Sequence, residues 1–121
     1  MTTMPFDLQA LRRGHEARDA QMLLGLYAND AEVRVVDQTH PPSHPLVLHG
    51  RDEIGTYLQD ICDRDMDHVV HDELVGNGLA TAHVTCRYAD GTQVLAAETF
   101  ELDDDGRIQR ETIVQAWDQG G

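Results

Sequence analysis

Three Asx-Gly dipeptides in the second half of the chain constrain its fold more than any other feature. They are Asn77-Gly78, Asp90-Gly91 and Asp105-Gly106. An Asn-Gly or Asp-Gly pair readily adopts the positive φ angles of a tight β-hairpin, and apolar and β-branched residues flank each pair. The spacing therefore predicts a meander of four long antiparallel strands, which is typical of a curved sheet. The predicted strands cover residues 68–75, 79–89, 92–102 and 107–117.

The first part of the chain has helical periodicity instead. Apolar residues at helical spacing after Pro5 predict a first helix of about ten residues, with Thr3 as its cap and Pro5 at its first position. A second helix is predicted from the N-cap Asp19 to the turn at Asn29-Asp30. Its apolar stripe consists of Met22, Leu23, Leu26 and Tyr27.

A strand, a loop and a third helix follow. Residues 31–37 alternate in polarity as a strand does, with Val33, Val35 and Asp37 on the more apolar face. Residues 39–48 contain three prolines and are predicted to form a loop. From Gly50 the apolar residues recur at the spacing of an amphipathic helix. They are Ile54, Tyr57, Leu58, Ile61 and Cys62.

Composition excludes several classes of function. The 121 residues carry a formal net charge of −13, which repels nucleic acid and anionic membrane surfaces. All nine basic residues are arginine, so the chain cannot form a Schiff base or supply a P-loop lysine. The only serine, Ser43, lies between prolines in a loop and not in a nucleophile elbow. Covalent lysine and serine chemistry is therefore excluded.

The same features predict one cytoplasmic domain that spans residues 1–121. No segment has the pattern of a signal peptide or a membrane span, and Cys62 and Cys86 lack the spacing of a redox motif. Of the seven histidines, His40, His44 and His49 cluster in sequence, but no H-E-x-x-H motif is present. We therefore expect no metal and no cofactor.

Strand parity singles out two carboxylates. Glu98 stands in the apolar row of its strand, where an unpaired anion would be costly. Asp37 lies at the end of its strand on the same side of the sheet, either as a cavity acid or as the start of a loop. The last strand is ambiguous, because Glu111, Gln115 and Trp117 share one face while the other face is equally mixed. If the first face points inward, Glu111 and Gln115 join Glu98 at one polar spot.

This element order resembles the nuclear transport factor 2-like superfamily, particularly its SnoaL-like and ketosteroid isomerase-like members. The resemblance is carried by LYANDAEV at residues 26–33 and HGRDEI at residues 49–54. It implies an α+β fold, a cone-shaped half-barrel in which three helices from the N-terminal half cover the concave face of a curved antiparallel sheet. It also implies a cavity between sheet and helices, and frequent homodimers.

Carried over residue by residue, the resemblance keeps only part of an isomerase site. The family's general-base aspartate falls at Val35 and its oxyanion-hole tyrosine at Leu11, whereas its second acid falls at Glu98. The acid-arginine relay of epoxide hydrolases is unsupported, because Arg34 and Arg87 lie on the outward parity of their strands.

Two hypotheses about function remain. The first is a cofactor-independent isomerase or cyclase in which Glu98, with Asp37 or Glu111, transfers protons on a hydrophobic carbonyl or polyketide-like molecule. The second is a non-catalytic module that binds a small molecule or serves dimerisation. In either case the expected ligand contacts are His15, Val35, Tyr57, Val84, Cys86, Gln115 and Trp117. A homodimer is expected through the convex sheet face, where Leu95, Ala97 and Thr99 lie together.

Overall fold

The computed structural model describes residues 5–118. These residues form three helices and six strands, in the order α1, α2, β1, β2, α3 and β3 to β6. The helices are α1 (Leu8–Glu16), α2 (Ala20–Leu24) and α3 (Gly50–Asp63). The strands are β1 (Tyr27–Val36), β2 (Leu46–His49), β3 (Met66–Val75), β4 (Leu79–Tyr88), β5 (Gln93–Leu102) and β6 (Ile108–Trp117). Among the described residues, no helix is long and apolar enough to cross a membrane.

The predicted meander is confirmed. Strands β3 to β6 begin and end within two residues of their predicted limits. The turns between them contain Gly78, Gly91 and Gly106, with φ angles of 76°, 94° and 76°. Only glycine and a few small polar residues adopt this left-handed region easily, so the dipeptides set both the position and the handedness of each turn.

The sheet has the order β2-β1-β6-β5-β4-β3 and remains open. Every neighbouring pair is antiparallel except β1 and β6, which run parallel. The helices of the N-terminal half pack on one face, α1 against β3 and α3 against β1, with α2 between the two helices. The α+β architecture with a curved sheet is therefore confirmed, with one parallel pair that the meander alone does not predict.

Two helix boundaries and one predicted loop differ from the prediction. Residues 39–48 are not all loop, because Leu46–His49 forms β2, which pairs antiparallel with β1. The first helix begins at Leu8 with Asp7 as its N-cap, because the Asp7 carboxylate accepts a hydrogen bond from the Ala10 amide at 3.0 Å. Pro5 therefore precedes the helix, and the predicted cap Thr3 lies outside the described residues. The second helix starts after Asp19 as predicted but ends at Leu24. Tyr27 opens β1 instead, because it pairs with Ile108 of β6.

The core lies between the helices and the concave face of the sheet. Phe100 of β5 is fully buried and stacks on Phe6, with ring centroids 5.4 Å apart. Helices α1 and α2 approach closely at Gly14, where a β-carbon would lie 2.7 Å from a Leu23 methyl group. The absence of a side chain at Gly14 therefore allows α1 and α2 to pack directly against each other.

Candidate functional site

A small pocket of about 50 Å³ lies between the helices and the concave face of the sheet. Most of its wall is apolar and comes from α1, α2, α3 and strands β3 to β6. Its polar lining residues are His15, Tyr27, Tyr57, Arg64, His68, Tyr88, Glu98, Glu111, Gln115 and Trp117. A volume of this size holds a few water molecules, so a ligand of many carbon atoms requires side chains of the wall to move.

Two carboxyl groups form the acid pair, Glu98 on β5 and Glu111 on β6. Both are buried, with exposed fractions of 7% and 1%. In the β5–β6 register Phe100 faces Glu111 and Glu98 faces Ile113, which makes the two acids diagonal neighbours on the concave face. The face of β6 that the sequence left open is thus settled: Glu111 and Ile113 are buried, while Val114 is exposed.

The acid pair is held by hydrogen bonds inside the protein. The Tyr27 hydroxyl at the start of β1 donates to Oε1 of Glu111. The Glu98 and Glu111 carboxyl groups are close enough that each shifts the pKa of the other. Two neighbouring carboxyl groups in a buried site do not both ionise readily, so the pair retains a proton near neutral pH.

Burial sets the protonation of this pair. Desolvation, together with the negative charge of Glu111, raises the pKa of Glu98 well above its ordinary value. Desolvation also raises the pKa of Glu111, to about 7, although hydrogen bonds from Tyr27 and Glu98 work in the opposite direction. The pair therefore titrates as a unit and retains one proton at neutral pH, and the Tyr27 hydroxyl that donates to Glu111 favours the ionised form on that residue.

Aromatic and amide side chains continue the polar network toward α3. The Trp117 indole donates to Gln115 Oε1 at 3.1 Å, and the Gln115 amide donates to the Tyr57 hydroxyl at 3.4 Å. Tyr88 stacks on Trp117 with ring centroids 5.9 Å apart, and its hydroxyl accepts from Arg64 Nη1 at 3.1 Å. These side chains are all half-buried, so they form the part of the pocket wall nearest to solvent.

A second polar cluster, the histidine pair, consists of His15 on α1 and His68 on β3. Their Nδ1 atoms lie 3.0 Å apart, and both residues are buried. Burial lowers the pKa of His15 to about 3, with the neighbouring His68 acting in the same direction, and burial also lowers the pKa of His68. Both imidazoles are therefore neutral. Nε2 of His68 has no hydrogen-bond partner within the described residues.

Most of the predicted site residues reach the pocket. The lining includes Glu98, Glu111, His15, Tyr57, Val84, Cys86, Gln115 and Trp117. Val35 does not line it but packs in the core beside it, fully buried on β1. Glu98 is buried with a raised pKa and a polar neighbour, as parity predicts.

Asp37 requires a correction, because it does not line the pocket. Its Oδ1 accepts hydrogen bonds from the backbone and hydroxyl of Thr39 and from the backbone and ring of His40, at 2.9 to 3.0 Å. These bonds lower the pKa of Asp37 against the opposing effect of its partial burial. The carboxylate therefore closes the turn after β1, which is the loop-starting role that aspartate favours.

Sequence reasoning missed four polar residues of the pocket lining, Tyr27, Arg64, His68 and Tyr88. Tyr27 fitted the apolar stripe of the second helix, and only its pairing with β6 places it beside Glu111. His68 lies in the same row of β3 as the buried residues Met66 and Val70. This two-residue period is the signal from which its inward direction could have been predicted.

A family model described as the SnoaL-like domain matches residues 8–111. The chain belongs to the SnoaL-like family. No curated protein matches this SnoaL-like chain in sequence.

Solved structures share the fold of this SnoaL-like chain. An NTF2-like protein of unknown function from Mesorhizobium loti aligns with a TM-score of 0.75 and 20% identity over 96% of this chain and 99% of that chain. A SnoaL-like protein of unknown function from Burkholderia thailandensis aligns at 0.66 and 19% over 92% and 91%. A steroid delta-isomerase from Pseudomonas aeruginosa aligns at 0.68 and 17% over 94% and 84%. At these identities the likeness concerns the fold.

Proposed function

We propose that this SnoaL-like protein is a cofactor-independent enzyme of the isomerase or cyclase type that moves protons on a hydrophobic carbonyl compound. The observation that carries the proposal is the buried acid pair, two carboxyl groups that are diagonal neighbours on β5 and β6 and line the apolar pocket. Environments that push the pKa values of neighbouring acids apart assign an acid and a base. The steroid isomerase among the structural neighbours supports the same class of reaction.

In this mechanism Glu111 is the base and Glu98 the acid. The Glu111 carboxylate removes a proton from the carbon next to the substrate carbonyl, and the electrons of that C–H bond form a carbon–carbon double bond. Glu98 donates its proton to the carbonyl oxygen, which gives a neutral enol. Return of the proton from Glu111 to a different carbon, and of the oxygen proton to Glu98, completes an isomerisation.

Tyr27 adjusts the base. Its hydroxyl donates to Glu111 and so stabilises the carboxylate form. Without this donor, burial alone would keep Glu111 protonated further above neutral pH. A general base is most effective when its pKa lies near the working pH, so Tyr27 is a positioning and tuning residue.

The pocket walls indicate the class of ligand. Leu58, Val84 and Ile113 contribute apolar surface around the acid pair, which suits a hydrophobic ring or chain with one carbonyl. The half-buried Arg64, Tyr88 and Trp117 must move to admit a ligand larger than the existing space. His68 Nε2 offers a further polar contact to a ligand that reaches the other end.

The test uses a β,γ-unsaturated cyclic ketone in D₂O, with isomerisation followed by absorbance and α-proton exchange by NMR. We expect Glu111→Gln and Glu98→Gln each to slow turnover by about 10²–10⁴-fold. Glu101→Gln is the matched control, because Glu101 lies on β5 but is exposed. Turnover that is equal in wild type, Glu98→Gln and Glu111→Gln would overturn the proposal.

A binding module is the second candidate, and one observation favours it. Val35 and Leu11 occupy the positions of the family's base and oxyanion-hole tyrosine, and both are buried apolar residues here. Saturable binding of the ketone with no exchange of its α-protons would support this candidate and exclude the enzyme.

We further propose a cytoplasmic homodimer. On the convex face of the sheet Leu95 and Val114 are 42% and 48% exposed on adjacent strands, which is apolar surface that a second copy can cover. Cys62 and Cys86 are both free and buried, which suits a reducing compartment. A 13.5 kDa species in sedimentation equilibrium at micromolar concentration would contradict the dimer.

A further inference from the structure

We propose that His71, Asp72 and His83 form a binding site for a divalent transition-metal ion such as Zn²⁺. The three residues lie on β3 and β4, at the edge of the sheet. One ligand atom from each residue lies within 4.8 Å of the ligand atoms of the other two. The site is separate from the pocket, whose lining includes none of the three residues.

The donor atoms already converge. Nδ1 of His71 lies 2.9 Å from Oδ2 of Asp72, and Nδ1 of His83 lies 3.0 Å from the same oxygen. In a tetrahedral zinc site with bonds of about 2.0–2.1 Å, neighbouring ligand atoms are about 3.3 Å apart. Each histidine nitrogen therefore lies within a few tenths of an ångström of this spacing from the carboxylate oxygen, and all three ligand atoms lie within 4.8 Å of one another, so small side-chain movements admit an ion.

A β-bulge brings His71 and Asp72 to the same side of the sheet. Consecutive side chains of a regular strand point to opposite faces, but the β3–β4 register shifts between His71 and Leu74. Asp72 there has a φ angle of +56°, which is uncommon for a residue other than glycine. Glu73 next resumes the helix-facing side, where it forms an ion pair with Arg12 of α1. Strain of this kind, held at one residue, often marks a functional position.

The chemistry of the three side chains suits a first-row transition metal. Two imidazoles with one carboxylate are ligands that Zn²⁺, Cu²⁺ and Ni²⁺ accept. The Asp72 carboxylate faces both rings through the same oxygen, Oδ2, and so offers one ligand atom to an ion held between them. The exposed sides of the two rings leave a coordination position open to water.

Thr85 supports the ligand orientation of His71. Its Oγ1 lies 2.7 Å from Nε2 of His71. Without metal the Nδ1 proton of His71 is donated to Asp72, and Nε2 accepts from the hydroxyl. With metal on Nδ1, the ring proton moves to Nε2 and is donated to Thr85. Outer hydrogen bonds of this type hold histidine ligands in the required tautomer.

The test is equilibrium dialysis of the full chain against Zn²⁺, with visible absorption of the Co²⁺ complex as a second readout. We expect one ion per chain, with affinity reduced at least about tenfold in His83→Gln and Asp72→Asn. His44→Gln is the control, because His44 is an exposed histidine outside the cluster, and its affinity should equal that of the wild type. Circular dichroism checks that each variant is folded.

Three outcomes would overturn the proposal. The first is no binding at about 0.1 mM Zn²⁺, a concentration far above the apparent dissociation constants of built zinc sites. The second is equal affinity in the wild type and a folded His83→Gln variant. The third is one ion per two chains, which would place the metal between copies. If His83→Gln does not fold, Asp72→Asn and Thr85→Val provide the decision, because both retain the two imidazoles. If the cluster is only a network of hydrogen bonds, the wild type and every variant should give the same cobalt spectrum.

Discussion

The pocket has two polar clusters, the acid pair and the histidine pair, which differ in how their buried polar atoms are hydrogen-bonded. At the acid pair the Tyr27 hydroxyl donates to Glu111, and no fully buried side-chain oxygen of the pair lacks a partner among the described residues. At the histidine pair His15 and His68 bond through one nitrogen each, and Nε2 of His68 is left without a partner among the described residues. The acid pair is thus internally satisfied, whereas the histidine pair retains an unused hydrogen-bonding capacity.

Burial also acts on the two clusters with opposite sign. It disfavours the charged form in both, so it raises the pKa of Glu98 and Glu111 but lowers the pKa of His15 and His68. Above the unfolded pKa of a glutamate, the acid pair therefore binds more protons in the folded state than in the unfolded chain. Below the unfolded pKa of a histidine, the histidine pair binds fewer protons in the folded state. The comparison shows how one apolar pocket can hold an acid and two neutral imidazoles at the same pH.

The largest expected effect is on stability when the centre of the acid pair is removed. Glu111→Ala deletes the acceptor of Tyr27 and the partner of Glu98, and it leaves a space in a fully buried position. Two unpaired buried donors and a cavity together should lower the free energy of unfolding by about 3–5 kcal/mol. Urea denaturation measures the change.

Two variants control for this effect. Glu111→Gln keeps a carbonyl acceptor at the same place and should cost about 1 kcal/mol, and Glu101→Ala on the exposed face of β5 should change stability by less than ~0.5 kcal/mol. If Glu111→Ala costs no more than Glu101→Ala, the hydrogen bonds of the acid pair do not stabilise the fold.

The next effect is the pH dependence that the acid pair imposes. The folded-state pKa values of Glu98 and Glu111 are raised, so their contribution to stability is complete below the unfolded value of 4.5 and is lost as pH rises toward about 7 and above. Each extra proton held by the folded state gives a slope of about −1.4 kcal/mol per pH unit. Glu98→Gln removes one such proton, and the slope measured by urea denaturation at several pH values should be less negative by up to that amount. An unchanged slope would contradict the raised pKa.

Local turn chemistry made the strands predictable. Each Asx-Gly turn is decided by two neighbouring residues, so β3 to β6 were placed almost correctly from the sequence. The end of the second helix was misplaced because Leu26 and Tyr27 fit its apolar stripe equally well. What decides against the helix is pairing of Tyr27 with Ile108, a residue far away in the chain.

The site shows the same division between local and distant information. Glu98 could be predicted to lie inside because its own strand has an unambiguous apolar row. Glu111 could not, because both faces of β6 are mixed and only the register with β5 turns it inward. The histidine pair joins residues 53 positions apart, and no spacing within α1 or β3 predicts that they meet.

The smallest expected effect concerns the histidine pair. The double variant His15→Leu/His68→Leu removes the unpaired Nε2 of His68. It also removes both Nδ1 atoms of the pair, so neither is left without its hydrogen-bond partner. Exchange of both partners for apolar groups of similar size is close to neutral, so stability near neutral pH should change by about 1 kcal/mol or less. The folded-state pKa of His15 is lowered to about 3 from 6.5, so the wild type should lose stability as pH falls below 6.5, and the double variant should lose less. Urea denaturation on the acid side of neutrality measures this, with His44→Gln as the surface control. A double variant that loses as much stability on acidification as the wild type would mean that His15 takes up its proton without unfolding, and the contrast between the two clusters would then disappear.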